Sequence, residues 1–140
     1  MSRSHASRRP LVVIVDDEVD ITTFLRLALE ENGFRVMTFT DADVVMTSLR
    51  QTEPDLICLD LLMPRHTGLS LYAEIVRDPR LSTCPVLIMS GLAVRTDFPD
   101  MLQRAGGLRP PAGLIDKPID IDAFLKKVNA VLGRIVGEAP

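Results

Sequence analysis

Short apolar runs alternate along the chain with longer stretches in which apolar residues recur at helical spacing. The runs are too short for helices and are largely continuous, which is typical of strands covered on both faces. The predicted strands cover residues 11–15, 35–39, 56–59, 85–89 and 114–115. The pattern therefore predicts five buried strands, each followed by a segment of different periodicity.

Helical periodicity falls between and after these runs. It predicts helices over residues 19–32, 42–50, 69–77 and 119–132, and Gly33 supplies a C-terminal stop for the first. Asp120 or Asp122 can cap the start of the last helix. In the first helix, the apolar residues at helical spacing are Ile21, Phe24, Leu25, Ala28 and Leu29.

The stretch over residues 94–113 is the least regular part of the pattern. It contains Pro99, the pair Gly106-Gly107, and the adjacent prolines Pro110 and Pro111. Proline disfavours helix at and before its position, and glycine loosens the backbone. The fourth helix is therefore expected to be short, displaced or mobile, and to cover only residues 98–105.

Strands and helices in alternation predict the fold class. The expectation is an α/β protein with a doubly wound, five-stranded parallel sheet and helices on both faces. One domain over residues 11–132 accounts for the pattern, with a basic flexible tail over residues 1–10 and a tail or the start of a linker over residues 133–140. In such sheets, ligands bind at the carboxyl ends of the strands.

Composition narrows the class of protein. The 140 residues suit one compact domain, and no apolar run is long enough to span a bilayer or to act as a secretory signal. Cys58 and Cys84 lie in apolar segments without metal-ligand spacing, so buried free thiols in a reducing cytosol are expected. The net charge is −3, but residues 1–9 hold three of the 16 basic residues and no acid, so the remainder has 13 basic against 19 acidic groups, or −6. This acidic body argues against direct binding of nucleic acid by the domain.

Polar residues that can carry chemistry follow four of the predicted strands. Asp16 and Asp17 follow the first, Asp60 the third, Ser90 the fourth and Lys117 the fifth. Three clustered carboxylates repel one another, and a hard cation such as Mg2+ relieves that repulsion. The simpler alternative is that the first two aspartates only cap the following helix, but capping explains neither of the later residues.

A carboxylate placed beside Mg2+ can attack a phosphoryl donor and form an acyl phosphate. Asp60 follows a buried strand, so its backbone is held while its carboxylate faces the pocket. Lys117 would pair with one phosphoryl oxygen, and the Ser90 hydroxyl would donate to another. Taken singly, Lys117 could be a surface ion pair and Ser90 an ordinary hydroxyl at a strand end.

Four segments together resemble the receiver domain of two-component response regulators over residues 11–132. They are VVIVDDE at 12–18, LICLDLLMP at 56–64 with Gly68, VLIMSG at 86–91, and DKP at 116–118. The resemblance implies the flavodoxin-like (βα)5 receiver fold. It also implies Asp60 as phosphoacceptor and Asp16 and Asp17 as acidic residues that hold Mg2+.

Further roles are implied by the same resemblance. The backbone carbonyl of Leu62 would be the third protein ligand of the metal, Ser90 would carry the switch hydroxyl, and Lys117 would contact the phosphoryl group. The Lys117–Pro118 peptide bond is expected to be cis, as is usual in the family. The family carries an aromatic readout residue three positions before the lysine, and here that position is Leu114.

The resemblance also implies a signalling protein and not an enzyme that turns over a separate substrate. The phosphoryl group would come from a histidine kinase or a histidine phosphotransfer protein. The signal would pass to a downstream protein target or an output domain, in the cytoplasm and without a membrane. A degenerate receiver that acts as a constitutive docking module remains an alternative. An aspartyl-nucleophile phosphohydrolase is disfavoured, because Leu62 stands where that family needs a second aspartate.

Overall fold

The computed structural model describes residues 9–63 and 66–133, without the side chains of residues 63, 66–68 and 92–97. The predicted basic tail therefore lies outside the described residues except for its last two positions. The predicted C-terminal tail lies outside them except for Gly133.

Five parallel strands form one sheet, as the alternating pattern predicts. They are β1 (Leu11–Val15), β2 (Arg35–Phe39), β3 (Leu56–Asp60), β4 (Val86–Ser90) and β5 (Gly113–Asp116). Their order across the sheet is β2-β1-β3-β4-β5, and every neighbouring pair is parallel. The predicted doubly wound five-stranded sheet is confirmed.

Helices connect the strands. They are α1 (Val19–Glu31), α2 (Val45–Leu49), α3 (Gly68–Arg77), α4 (Leu92–Arg104) and α5 (Ile121–Val131). A short 3-10 turn, Ala42–Val44, leads into α2. Between β3 and α3, Leu62–Met63 pairs antiparallel with His66–Thr67 in a two-stranded ribbon.

Alternate residues of each strand enter two separate cores, which explains the continuous apolar runs. In β1, Val13 and Val15 face the core that contains residues of α2, α3 and α4. Val12 and Ile14 face the opposite core, which contains residues of α1 and α5. The central strands β1, β3 and β4 are thus buried on both sides, whereas the edge strands β2 and β5 are partly exposed.

Not every apolar residue at helical spacing in α1 is buried against the sheet. Leu25 and Leu29 are fully buried against the sheet, but 46% of Phe24 is exposed. Because α1 also carries apolar residues at exposed positions such as Val19 and Leu27, its hydrophobic arc is wider than the surface that it buries. The sequence pattern therefore overstated the width of the contact.

The expectation of a short fourth helix over residues 98–105 is also wrong. The helix begins at Leu92, directly after Gly91, and continues through Pro99 to Arg104. The glycine pair lies beyond its end, with φ angles of 99° at Gly106 and 72° at Gly107. Glycine in this conformation is a common helix terminator, so the pair ends α4 and does not interrupt it.

Three smaller expectations have definite outcomes. Asp120 occupies the N-cap position of α5, but its side chain makes no capping hydrogen bond. Cys58 and Cys84 are buried and are not joined in a disulfide, as expected. Within the part of the chain that the structure describes, no helix has the length and apolarity needed to cross a membrane.

Candidate functional site

The three predicted acidic residues meet at the carboxyl end of the sheet. Strands β1 and β3 are neighbours, with Val15 opposite Leu59, so the residues that follow them emerge side by side. One carboxylate oxygen from each of Asp16, Asp17 and Asp60 lies within 4.8 Å of the other two. Asp16 and Asp60 are buried and Asp17 is half-buried.

Two of these carboxylates are oriented by backbone amides of their own turns. The amide of Glu18 donates to Asp16 Oδ1 at 3.0 Å, and the amide of Leu62 donates to Asp60 Oδ1 at 3.1 Å. Asp16 therefore stabilises the turn before α1, as the capping alternative proposed. Its second oxygen contacts Lys117, so the turn accounts for only half of its hydrogen bonding.

Lys117 places one ammonium group among three carboxylates. Its Nζ lies 2.7 Å from Asp16 Oδ2, 3.4 Å from Asp60 Oδ2 and 3.4 Å from Glu18 Oε1. Only 20% of the lysine side chain is exposed, so it is not the surface ion pair of the simpler alternative. Its peptide bond to Pro118 is cis.

Glu18 is the contact that sequence reasoning missed. It stands next to the two aspartates in the same strand-end turn, which was the available signal. It occupies the N-cap position of α1 but makes no side-chain capping hydrogen bond, so its carboxylate is available to the lysine.

The electrostatics of the pocket favour the uptake of positive charge. Burial raises the pKa of Asp60 to about 6, the negative charge of Asp16 adds to that rise, and the Leu62 amide and Lys117 oppose it. Burial alone would lower the pKa of Lys117, but its hydrogen bonds and charge interactions with Asp16 and Asp60 hold that pKa above its usual value. One ammonium thus faces more negative charge than it can neutralise.

Ser90 ends β4 beside this cluster. Its side chain is 1% exposed, and its hydroxyl has no hydrogen-bond partner among the described residues. Its backbone carbonyl accepts from the Lys117 amide at 3.0 Å, which ties the ends of β4 and β5 together. A buried hydroxyl without a partner is costly, so it marks a position at which an incoming group can be bound.

These residues fit Mg2+. The ion prefers one or two carboxylates, with its remaining ligands supplied by water and phosphoryl oxygens. Asp16, Asp17 and Asp60 offer the carboxylates within a suitable span. The side chain of Leu62 is aliphatic and has no ligand atom, so this residue could contribute only its backbone carbonyl.

Leu114 lies in β5, opposite Ile88 of β4. It is half-buried and packs against the core that contains Phe98 and Leu102 of α4. The position is thus part of the sheet and in contact with the α4 side of the molecule, but it presents a branched aliphatic side chain where the family has an aromatic ring.

Comparison with protein families agrees with the geometry. Residues 12–129 match the response regulator receiver domain. The matched range covers most of the chain and includes every residue of the pocket.

Two relatives show how the family varies. The chain is 30% identical over 125 residues to the DNA-binding dual master transcriptional regulator RpaA of Synechocystis, covering 89% of this chain and 50% of that protein. It is 30% identical over 122 residues to the protein PilH of Pseudomonas aeruginosa, covering 86% of this chain and 96% of that protein. The chain therefore spans about half the length of the first relative and nearly all of the second.

Solved structures support the fold. The chemotaxis response regulator CheY4 of Vibrio cholerae superimposes with a TM-score of 0.77 at 21% identity, covering 89% of this chain and 100% of that one. At this identity the likeness concerns the fold, and the family match concerns the sequence. The chain belongs to the response regulator receiver domain family.

Proposed function

We propose that this receiver domain accepts a phosphoryl group on Asp60, with Mg2+ held by Asp16, Asp17, Asp60 and the backbone carbonyl of Leu62. The observation that carries the proposal is the meeting of three carboxylates within 4.8 Å. The pocket also contains a lysine, and the buried Ser90 hydroxyl beside it has no hydrogen-bond partner in the described part of the chain.

The reaction is a transfer to a carboxylate. An oxygen of ionised Asp60 forms a bond to phosphorus, and the bond from phosphorus to the donor breaks with its electron pair. With a phosphohistidine donor, the leaving imidazole nitrogen keeps that pair and can take up a proton. With an acyl phosphate donor, a carboxylate leaves. Mg2+, when bound, neutralises charge on the phosphoryl oxygens.

Other residues of the pocket bind the phosphoryl group on Asp60 or orient its carboxylate. Lys117 already lies 3.4 Å from Asp60, so it can pair with a phosphoryl oxygen there after a small movement. The Ser90 hydroxyl donates to another oxygen and gains the partner that it lacks. The Leu62 amide holds Asp60 Oδ1, which orients the acceptor before the donor arrives.

The proposal describes a switch that catalyses only its own phosphorylation and dephosphorylation. The donor is a histidine kinase or a histidine phosphotransfer protein, and the signal passes to a protein target or an output domain. We place the domain in the cytoplasm, with no direct contact to nucleic acid or membrane. These assignments rest on membership of the family and on the acidic pocket.

A second candidate function is a docking module in which the pocket is retained but uncoupled from the surface. Leu114 favours it, because the position lacks the aromatic side chain that the family uses for readout. In that case phosphorylation would alter the pocket without changing the surface that meets partners.

The test combines a chemical donor with a phosphoryl mimic. Wild type, Asp60→Asn and Asp100→Asn are incubated with Mg2+ and acetyl phosphate or phosphoramidate, and intact mass is measured. Asp100 is an exposed acid on α4, so its variant controls for the loss of one carboxylate. Beryllofluoride is then added with Mg2+ while backbone NMR spectra are recorded.

The expected result is the gain of one phosphoryl group by wild type and Asp100→Asn, and none by Asp60→Asn. Shifts confined to the pocket under beryllofluoride would favour the docking module. Absence of modification in wild type, together with absence of any beryllofluoride response, would refute the proposal.

A further inference from the structure

The segment over residues 105–112, which joins α4 to β5, is tied to α3 by two side chains. Arg77 Nη2 donates to the Ala105 carbonyl at 2.8 Å. The Tyr72 hydroxyl donates to the Arg109 carbonyl. Both acceptors are backbone atoms, so these bonds fix the path of the segment whatever side chains it carries.

Arg109 adds a second attachment. Its guanidinium donates to the Cys84 carbonyl at 3.0 Å and to the Leu81 carbonyl at 3.4 Å, both in the connection that leads into β4. The segment is therefore tied on one side to α3 and on another to the start of the strand that ends in Ser90. These hydrogen bonds hold the segment against the rest of the domain, although its prolines and glycines suggested a loose loop.

Tyr72 contacts α4 as well as this segment. Its side chain is fully buried, and its ring meets Phe98 of α4 edge to face, with centroids 5.9 Å apart and an interplanar angle of 72°. Phe98 is itself only 2% exposed. Burial raises the pKa of Tyr72, so the hydroxyl remains a protonated donor at neutral pH.

Helix α4 connects the pocket to Tyr72. Helix α4 begins at Leu92, two residues after Ser90, so movement of the Ser90 turn acts directly on the start of the helix. Phe98 lies in the same helix and packs on Tyr72. Leu114 contacts the same core but has no polar group with which to make or break a hydrogen bond.

We propose that Tyr72 carries the readout of this receiver. When Ser90 moves toward a phosphoryl group on Asp60, α4 shifts, Phe98 displaces Tyr72, and the Tyr72–Arg109 hydrogen bond breaks. Residues 105–112 then lose one of their attachments and form the surface that changes. This inference rests on the proposed phosphorylation of Asp60 and adds the route by which the pocket reaches the surface.

The chain offers a specific reporter, because Tyr72 is its single tyrosine and it has no tryptophan. Incorporation of 3-fluorotyrosine gives one 19F resonance. Mg2+ and beryllofluoride are added to the full chain while that resonance is recorded. Backbone amide signals and their hydrogen exchange are followed in parallel at residues 105–109 and Ala112, since the two intervening prolines have no amide.

Three variants complete the experiment. Tyr72→Phe removes the hydroxyl and keeps the ring. Thr22→Val is the matched control, since the buried Thr22 hydroxyl also donates to a backbone carbonyl, that of Val19 at 2.9 Å, but lies on α1. Phe98→Leu tests the helix contact separately and serves as the second variant if Tyr72→Phe folds poorly.

In wild type and in Thr22→Val, beryllofluoride should shift the amides of the pocket and those of residues 105–109 and 112, and should speed exchange in that segment. The wild-type 19F resonance should shift as well. In Tyr72→Phe the segment should exchange faster before activation and its further response should be largely lost, while the pocket amides respond as in wild type.

Each remaining outcome decides against the inference. An unchanged 19F resonance beside responding pocket amides overturns the readout and leaves the phosphorylation proposal standing. An undiminished segment response in Tyr72→Phe and Phe98→Leu does the same. If the pocket amides of wild type do not respond to beryllofluoride, the phosphorylation proposal is overturned. The proposed readout through Tyr72 is then overturned as well, because it depends on that phosphorylation.

Discussion

Replacing Asp60 by asparagine should stabilise the metal-free protein, and the gain should grow with pH. Burial raises the pKa of Asp60 from 3.8 to about 6, so ionisation of this group opposes folding. Stability from the protonated group is fully present below the unfolded-state pKa and is lost as pH rises through the folded-state value. Asparagine has no such titration and keeps the Leu62 hydrogen bond.

The magnitude follows from the difference between the two pKa values. One unit corresponds to about 1.4 kcal/mol, so the whole rise from 3.8 to about 6 costs about 3 kcal/mol once the group is ionised. About 2 kcal/mol of this falls between pH 4.5 and 7.5. The free energy of unfolding of Asp60→Asn relative to wild type should therefore increase by that amount across this range.

The difference in free energy of unfolding is measured by urea unfolding in the presence of a chelator. Far-UV circular dichroism follows the transition, so no aromatic reporter is needed. Asp100→Asn provides the control for loss of an exposed carboxylate and should show no comparable step. Saturating Mg2+ should narrow the difference, because the ion binds the ionised pocket of the wild type and stabilises it. If the difference in free energy of unfolding between Asp60→Asn and wild type stays constant with pH, or falls as pH rises, Asp60 is not the group whose pKa is raised by burial.

Three further outcomes follow from single contacts. Lys117→Met removes the one ammonium that, among the described residues, faces the pocket carboxylates. The free energy of unfolding at pH 7.5 without metal should therefore fall by roughly 3 kcal/mol, and Mg2+ should restore most of it. Asp55→Ala removes the acceptor of the Leu11 amide at 2.7 Å and should lower stability by about 1.5 kcal/mol in the same assay, whereas an unchanged midpoint would contradict the bond. The buried Cys58 thiol, whose pKa is raised by burial and by Cys84, should react with a thiol reagent only on unfolding, as followed by mass spectrometry in urea.

The sheet and the pocket were accessible from sequence because parallel pairing repeats a simple rule. Strand β3 is a continuous buried run, and its last residue is Asp60. Once β1 and β3 are neighbours in parallel register, Asp16 must emerge beside Asp60, whatever the loops do. The same reasoning brings Ser90 and Lys117 to the ends of β4 and β5.

The helices were less accessible, for two different physical reasons. Apolar residues cover more of the circumference of α1 than the sheet can bury, so periodicity could not tell that Phe24 points outward while Leu25 points inward. In α4, the presence of several helix-breaking residues predicted too short a helix, because their position decides where the helix ends. Gly106 and Gly107 follow the helix and end it, and Pro99 lies within it.

The attachments around Tyr72 were invisible in the sequence because their acceptors are backbone carbonyls. Every residue has a carbonyl, so nothing in the identity of Arg109 or Ala105 indicates that a side chain of α3 binds there. The pocket, in contrast, is built from side chains whose chemistry is written in their residue types. A sequence can show that Leu114 stands where the family has an aromatic residue. A readout through a hydroxyl bound to a backbone carbonyl, as we propose for Tyr72, would leave no such motif, so a receiver could keep a recognisable pocket while its readout changes unseen.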